Sequence, residues 1–327
     1  IIEGNPNNEF RIDSVTGVIS IAKPLDREKR SSYTLVVQSS DRGSNSRTDT
    51  ATVSIILTDV NDVVPKFELS PYSVNVPENL ESLPKVILQV VARDDDQGLN
   101  SKLIYALASG NEERAFRLSS NGQLSIVKSL DREVKEQYIL LITAVDSGSP
   151  ALTGTGTITV NVDDINDNKP AFALNQHFIS ISEDAPTGTD VLLLNCSDPD
   201  AGLNGVVRYS LVGGNSQFTI NPSTGQIISS SLLDRETKDN YTLLIMATDG
   251  GSPSLSSSTS VTVNILDVND NPPRFLHHPY VTHIPSPASA DSFVFAVTVT
   301  DEDIGSNSEL HFSLKGRHSD KFHIDPL

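Results

Sequence analysis

Tyr138-Ile139-Leu140-Leu141-Ile142-Thr143-Ala144-Val145-Asp146 is the stretch on which the fold turns. Tyr138, Leu140, Ile142 and Ala144 fall on one face at a period of two, the spacing of a strand with one buried side. The same face returns 103 residues later as Tyr241, Leu243, Ile245 and Ala247, and stands 105 residues earlier as Tyr33, Leu35, Val37 and Ser39. The strand that follows carries Ile158, Val160 and Val162, echoed by Val261, Val263 and Ile265, with Thr and Asn between them to face water. β-branched content and Gly/Ser/Asn/Pro punctuation predict antiparallel strands, and no stretch of ten residues keeps a helical period. About seven strands per ~100 residues predicts an all-β chain of Greek-key β-sandwiches. The chain has no Trp, so the Cys…Trp…Cys signature of immunoglobulin domains is absent.

Outward from this strand, three acidic motifs keep the same beat. Leu-Asp-Arg-Glu starts at Leu25, Leu130 and Leu233; Asp-x-Asn-Asp starts at Asp59, Asp164 and Asp267; Asp-x-Asp-x-Gly-x-Asn starts at Asp94, Asp198 and Asp301. Steps of 104 or 105 and then 103 residues hold three motifs in register, which chance does not do. The beat divides the chain into a partial repeat at 1–65, complete repeats at 66–170 and 171–273, and a partial repeat at 274–327. A unit of this length buries its own core. The connectors Val63-Val64-Pro65-Lys66-Phe67, Asn168-Lys169-Pro170-Ala171-Phe172 and Asn271-Pro272-Pro273-Arg274-Phe275 are short and stiffened by Pro, with a Phe to anchor the next unit. Their stiffness predicts a rod.

The formal net charge is -18, from 42 acidic and 24 basic side chains in 327 residues. That balance argues against a nucleic-acid surface, which needs clustered Lys and Arg. It suits a chain that meets cations. Carboxylates, amide oxygens and a tight Gly-containing turn are the ligand types of Ca²⁺, a hard ion that takes six to eight oxygens. Zn²⁺ or copper would want His and Cys in phase, and neither recurs. The pair His277-His278 reads as a surface pair. Cys196 aligns with Ala92 and Val299 and reads as a buried strand residue. No apolar run approaches 18 residues. The chain opens and closes inside a repeat, so a longer parent with its anchor elsewhere is expected.

Two other readings of the carboxylates compete. Solubilising turns would not recur in phase, and general acid–base work by a pair such as Asp131 and Glu133 needs one tuned carboxyl in one cleft. Arg27, Arg132 and Arg235 read as charge balancers beside the sites. Asn195-Cys196-Ser197 and Asn240-Tyr241-Thr242 match the N-glycosylation pattern, with Asn195 facing out if Cys196 faces in. Thr157 and Thr159, also outward, give a weaker signal for O-linked sugar.

Together with Pro77-Glu78-Asn79 and the Ala-x-Asp of 144–146 and 247–249, these motifs resemble extracellular cadherin repeats over the whole chain. Within that superfamily the chain is most similar to the giant Fat-type atypical cadherins. The resemblance implies three calcium ions at each joint between repeats. At the central joint it implies Glu78, Asp131 and Glu133 from the upper repeat and the Ile165 carbonyl, Asn166, Asp167 and the Asn168 carbonyl from the connector. The lower repeat adds Asp198, Asp200, the Asn204 carbonyl and Asp249. Asp164 belongs to the motif but is a weaker candidate. The next joint would use Glu183, Asp234, Glu236, the Val268 carbonyl, Asn269, Asp270 and Asn271, then Asp301, Asp303 and Asn307. The first would use Asp26, Glu28, the Val60 carbonyl, Asn61, Asp62, the Val63 carbonyl, Asp94, Asp96, Asn100 and Asp146. Val63 departs from the motif's Asn, and Ile284-Pro285-Ser286-Pro287 departs from Pro-Glu in the fourth repeat. The resemblance further implies an extracellular, membrane-anchored parent, calcium-dependent cell–cell recognition with a Dachsous-type cadherin partner, and planar polarity or growth signalling. The alternative is a mechanical spacer with no binding surface of its own; an enzyme is the remote one.

Overall fold

The structure, a computed structural model, describes residues 1–325. Residues 326 and 327, the end of the fourth predicted repeat, lie outside the described residues. The chain divides into two compact units, Ile1–Ile165 and Asn166–Leu327. Among the described residues every regular element is a strand except two single-turn 3-10 segments, Gly305–Ser308 and Ser319–Lys321.

In the first unit a four-stranded sheet runs Tyr72–Pro77, Thr153–Asp163, Gln137–Val145, Ile104–Ser109. A three-stranded sheet runs Phe116–Leu118, Gln123–Ile126, Lys85–Gln89. Lys66–Phe67 pairs with Ala92–Arg93. Taking Lys66–Phe67 with Tyr72–Pro77 as one broken strand, and Lys85–Gln89 with Ala92–Arg93 as another, gives the seven strands that the sequence predicts. The second unit repeats the plan, with Gln176–Ser182, Ser256–Leu266, Asn240–Thr248, Arg208–Val212 in one sheet and Asp190–Leu193, Gln226–Ser229, Phe218–Ile220 in the other.

The alternation read from the sequence is the packing. Leu140, Ile142, Ile158 and Val160 are fully buried between the sheets of one repeat, as are Ile245, Val261 and Val263 in the next. Each aliphatic side chain of this size buried from water contributes about 1.5–3 kcal/mol. Phe116 and Tyr138 meet edge to face at 5.1 Å, and Phe218 and Tyr241 repeat the contact at 5.2 Å. The connector Phe residues take equivalent places but differ in burial: Phe67, opposite Ala92, is buried; Phe172, opposite Cys196, is half-buried; Phe275, opposite Val299, is exposed, so the expected anchoring is not seen at the last connector.

Two further expectations need correction. One ladder per complete repeat is parallel: Tyr72–Pro77 runs with Thr153–Asp163, and Gln176–Ser182 with Ser256–Leu266. The first strand of the repeat borders the last, and both run toward the same end of the sandwich. Side-chain alternation carries no information about strand direction, so the sequence could not show it. Cys196 is a strand residue, but it is half-buried rather than buried, packed at the margin of the core. Burial pushes its thiol up to about 11, and the Asp198 charge adds to that, so it is not a reactive thiolate.

Candidate metal centre

The Leu of each Leu-Asp-Arg-Glu motif is the nail that fixes it: Leu130 and Leu233 are buried in the cores. The following Asp then closes a turn. Asp131 Oδ1 accepts from Val134 N at 3.0 Å, Asp234 Oδ1 from Thr237 N at 2.9 Å and Asp26 Oδ1 from Lys29 N at 3.0 Å. A cation four residues after each of these Asp residues lies over the strand Tyr: Arg30 on Tyr33 at 4.2 Å, Lys135 on Tyr138 at 4.3 Å, Lys238 on Tyr241 at 4.4 Å. These contacts pin the loop that presents Glu28, Glu133 and Glu236.

The upper Glu of each complete repeat is buried and held by main chain. Glu78, 1% exposed, accepts from Arg132 N at 2.7 Å and from Ile165 N at 2.8 Å. Glu183 accepts from Arg235 N and Val268 N, both at 2.7 Å. Around them Glu78, Asp131 and Glu133 bring carboxylate oxygens within 4.8 Å of one another, as do Glu183, Asp234 and Glu236. Further triads draw one carboxylate from the upper repeat, one from the connector and one from the lower repeat: Glu28, Asp62, Asp96 and, in the same places, Glu236, Asp270, Asp303.

The lower repeat's loop is shaped by its Gly. Gly98, Gly202 and Gly305 have φ of 64°, 59° and 61°, a left-handed conformation that a side chain disfavours. Within the turn Asp94 Oδ1 accepts from Asp96 N at 3.0 Å, and Asp198 and Asp301 accept from Asp200 N and Asp303 N at 3.1 Å. The candidate carbonyl donors Val60, Val63, Asn100, Ile165, Asn168, Asn204, Val268 and Asn271 lie in these loops and in the connectors.

Asn61 and Asn166 occupy matching cradles. Asn61 Nδ2 donates to Asp146 Oδ1 at 3.1 Å and to the Pro150 carbonyl at 2.7 Å. Asn166 Nδ2 donates to Asp249 Oδ2 at 3.2 Å and to the Pro253 carbonyl at 2.7 Å. A Cβ on Gly148 would come within 2.3 Å of the Asn61 side chain, and one on Gly251 within 2.2 Å of Asn166. The sequence reading missed these glycines and prolines. Their signal was present: Asp146-Ser147-Gly148-Ser149-Pro150 returns as Asp249-Gly250-Gly251-Ser252-Pro253. Asn269 is exposed.

The arginines do more than balance charge. Arg27 pairs with Asp59 and Glu28 and donates to the Asp95 carbonyl at 2.8 Å. Asp59 Oδ2 then accepts from Gln97 N at 3.0 Å and Asn100 Nδ2 at 2.8 Å. Arg235 pairs with Asp267 at 2.5 Å and with Glu236, and donates to the Glu302 carbonyl at 2.6 Å. Asp267 Oδ2 accepts from Ile304 N at 3.1 Å and Asn307 Nδ2 at 2.9 Å. Arg132 pairs with Asp164 at 2.5 Å and with Glu133. The first Asp of the connector motif is thus an arginine partner in each copy.

Among the described residues eight carboxylates are buried, and seven are candidate ligands: Glu78, Asp96, Asp146, Glu183, Asp200, Asp249 and Asp303. Crowded burial of like charges has its expected effect. Burial raises Asp94 and Asp96 above the usual carboxylate range, with neighbouring Asp charges adding to it. Glu236 and Asp270 are raised by burial and by Glu183. Burial also opposes the ionised forms of Asp59, Asp146 and Asp267, but their hydrogen bonds outweigh it and hold them low. Buried oxygens with no hydrogen-bond donor remain on Asn61 (Oδ1), Asp94 (Oδ2), Asp96 (Oδ1), Asn166 (Oδ1) and Asp303 (Oδ2). A buried acceptor left unpaired is costly, so these atoms fit a cation. The donor set is all oxygen, as Ca²⁺ requires. His277 and His278 are exposed and belong to none of the acidic clusters.

A repeating seven-stranded sandwich with acidic joints defines a class, and the chain belongs to the cadherin family: the cadherin domain family matches residues 1–58, 72–163 and 177–266. The chain is 71% identical over 328 residues to human protocadherin Fat 4, covering 100% of the chain and 6% of that protein. It is 34% identical over 342 residues to the Drosophila melanogaster protein dachsous, covering 100% of the chain and 10% of that protein. The solved protocadherin gammaB7 EC3-6 cis-dimer structure overlays with a TM-score of 0.80 at 32% identity, covering 95% of this chain and 78% of that one. The chain thus spans well under a tenth of the length of the Fat relative. This family is one of adhesion proteins rather than enzymes, and the chain is an extracellular region of a membrane protein. Among the described residues no helix is long and apolar enough to cross a membrane.

Proposed function

We propose that this chain is a calcium-stiffened segment of an atypical cadherin ectodomain that serves cell–cell recognition. The observation that carries the reading is the recurrence of one triad in the same places, Glu28, Asp62, Asp96 and Glu236, Asp270, Asp303, each joining upper repeat, connector and lower repeat. The repeats are those at 1–65, 66–170, 171–273 and 274–327. When bound, calcium would neutralise the crowded carboxylates and tie the repeats through one ion's ligands. Asp26, Glu28, Asn61, Asp62, Asp94, Asp96 and Asp146 would hold it at the first joint. Glu183, Asp234, Glu236, Asp270, Asp301 and Asp303 would do so at the third. The chain's own part is to hold Glu183 by two main-chain N–H groups and to fix the Asn61 amide nitrogen on Asp146 and Pro150, which leaves its oxygen without a donor. Extracellular calcium modules bind at about 10⁻⁴–10⁻³ M, so these joints fill outside cells.

The partner is a Dachsous-type cadherin ectodomain, and the pathway is planar polarity or growth signalling; similarity to Fat and dachsous proteins supports both. Asn195 and Asn240 are exposed, as glycan acceptors must be. Beads coated with the chain should capture a Dachsous-type ectodomain in calcium and release it in chelator. Absence of capture in calcium would leave the chain as a mechanical spacer.

A further inference from the structure

Two of the three connectors carry a clamp that the first one lacks. Asn168 Nδ2 donates to Asp167 Oδ1 at 2.7 Å and to Asp200 Oδ1 at 2.9 Å. Asn271 Nδ2 donates to Asp270 Oδ1 at 2.8 Å and to Asp303 Oδ1 at 3.0 Å. One amide thereby draws together two candidate ligands, one from the connector and one from the lower repeat. Like-charged carboxylates brought this close repel, and a charge-assisted donor shared between them offsets that repulsion.

At the first joint the position is Val63, which has no side-chain donor. Asp96 keeps the main-chain hydrogen bond, from Val63 N at 3.2 Å, the counterpart of Asn168 N to Asp200 at 3.3 Å. Its other oxygen, Oδ1, is the one that the amide would reach, and it is buried with no donor. Asp96 is 6% exposed, so bulk solvent has little access to that oxygen. As a main-chain ligand a Val carbonyl equals an Asn carbonyl, so by that role alone Val63 would be a cheap departure. The structure adds a second role to this position, carried by the side chain.

We infer that the residue ending each connector motif sets the calcium affinity of its joint by pre-gathering two carboxylates, and that Val63 makes the first joint a weak one that fills late. This rests on the calcium reading. Graded filling follows: as calcium rises, joints with Asn lock first and the Val63 joint stays flexible over a further range.

The test is a calcium titration of the full chain followed by two-dimensional amide NMR, with Asp62, Val64 and Asp96 reporting the first joint and Asp167 and Asp200 the central one. Val63→Asn should lower the first joint's midpoint by about tenfold, the worth of one charge-assisted hydrogen bond, and leave the central midpoint in place. Asn168→Val should raise the central midpoint by a similar factor and leave the first. A misfolded variant cannot bind more tightly, so the gain in Val63→Asn is diagnostic. Unchanged midpoints in both variants, with calcium still binding, would overturn the clamp. No shift at either joint up to millimolar calcium would overturn the calcium reading itself.

Discussion

Arg235 Nε lies 2.5 Å from Asp267 Oδ1, and the carboxylate's other oxygen accepts from Ile304 N and Asn307 Nδ2. One ion pair therefore links the upper repeat to the connector, and through it to the lower repeat, using protein alone. Arg27 and Asp59 repeat the relation. Arg235→Met should lower the melting temperature in chelator by several degrees and speed proteolysis at residues 267–275. In calcium the loss should shrink, because the ion ties the same parts. Equal losses in both conditions would show the pair to be only local.

Glu78 is a structural acceptor as well as a candidate ligand. Glu78→Ala strands the N–H groups of Arg132 and Ile165, at a cost of about 2–4 kcal/mol even without metal. Glu78→Gln keeps one carbonyl acceptor and should cost about half that in chelator while still losing much of the calcium response. Denaturant unfolding in chelator and in calcium separates the two roles.

Gly148→Ala places a methyl against Asn61. The amide must leave its cradle between Asp146 and Pro150, so the first joint's calcium midpoint should rise several-fold while the strands on either side remain. Gly251→Ala should do the same through Asn166. Amide NMR midpoints check both; an unchanged midpoint would show that the Asn oxygen is not a ligand.

The pH response follows from the carboxylate shifts. Asp94, Asp96, Glu236 and Asp270 are raised, so the folded chain binds more protons than the unfolded chain between their ordinary and raised values. Without metal, stability should therefore increase as pH falls from neutral through those raised values. Asp59, Asp146 and Asp267 are held low, so the stability they contribute is lost as pH falls further, through their depressed values. Chelated protein should show a stability maximum just above the ordinary carboxylate range of about 4, and calcium should shift that maximum toward neutral pH. Melting curves across pH, with and without calcium, read this directly.

Much of this was legible in the sequence because repetition supplied the comparison that a single domain lacks. The faces of Gln137–Val145 and Asn240–Thr248 followed from period two, and seven of the eight carboxylates buried among the described residues were already named by motif. The parallel pairing of Tyr72–Pro77 with Thr153–Asp163 was not legible, since alternation looks the same in either direction. The Arg27–Asp59 pair was hidden because its partners stand 32 residues apart and both read as site-adjacent charge. The cradle around Asn61 depends on residues near 148, which meet the connector only once the last hairpin has folded. The Val63 departure was visible as a letter, but its consequence needed the Asp96 oxygen that it leaves without a donor.

The central claim is that the acidic joints are calcium sites whose filling locks the repeats. The direct measurement is thermal unfolding of the full chain across calcium concentrations from chelator to 10⁻² M, alongside calorimetric titration. A native-state ligand raises stability with the logarithm of its excess over Kd, about 2.7 kcal/mol at a hundredfold excess per site. The account predicts a rise that begins near 10⁻⁴–10⁻³ M calcium, is absent with magnesium at the same concentration, and is reduced by Asp303→Ala. A melting temperature that does not move with calcium, with no heat of binding, would contradict it.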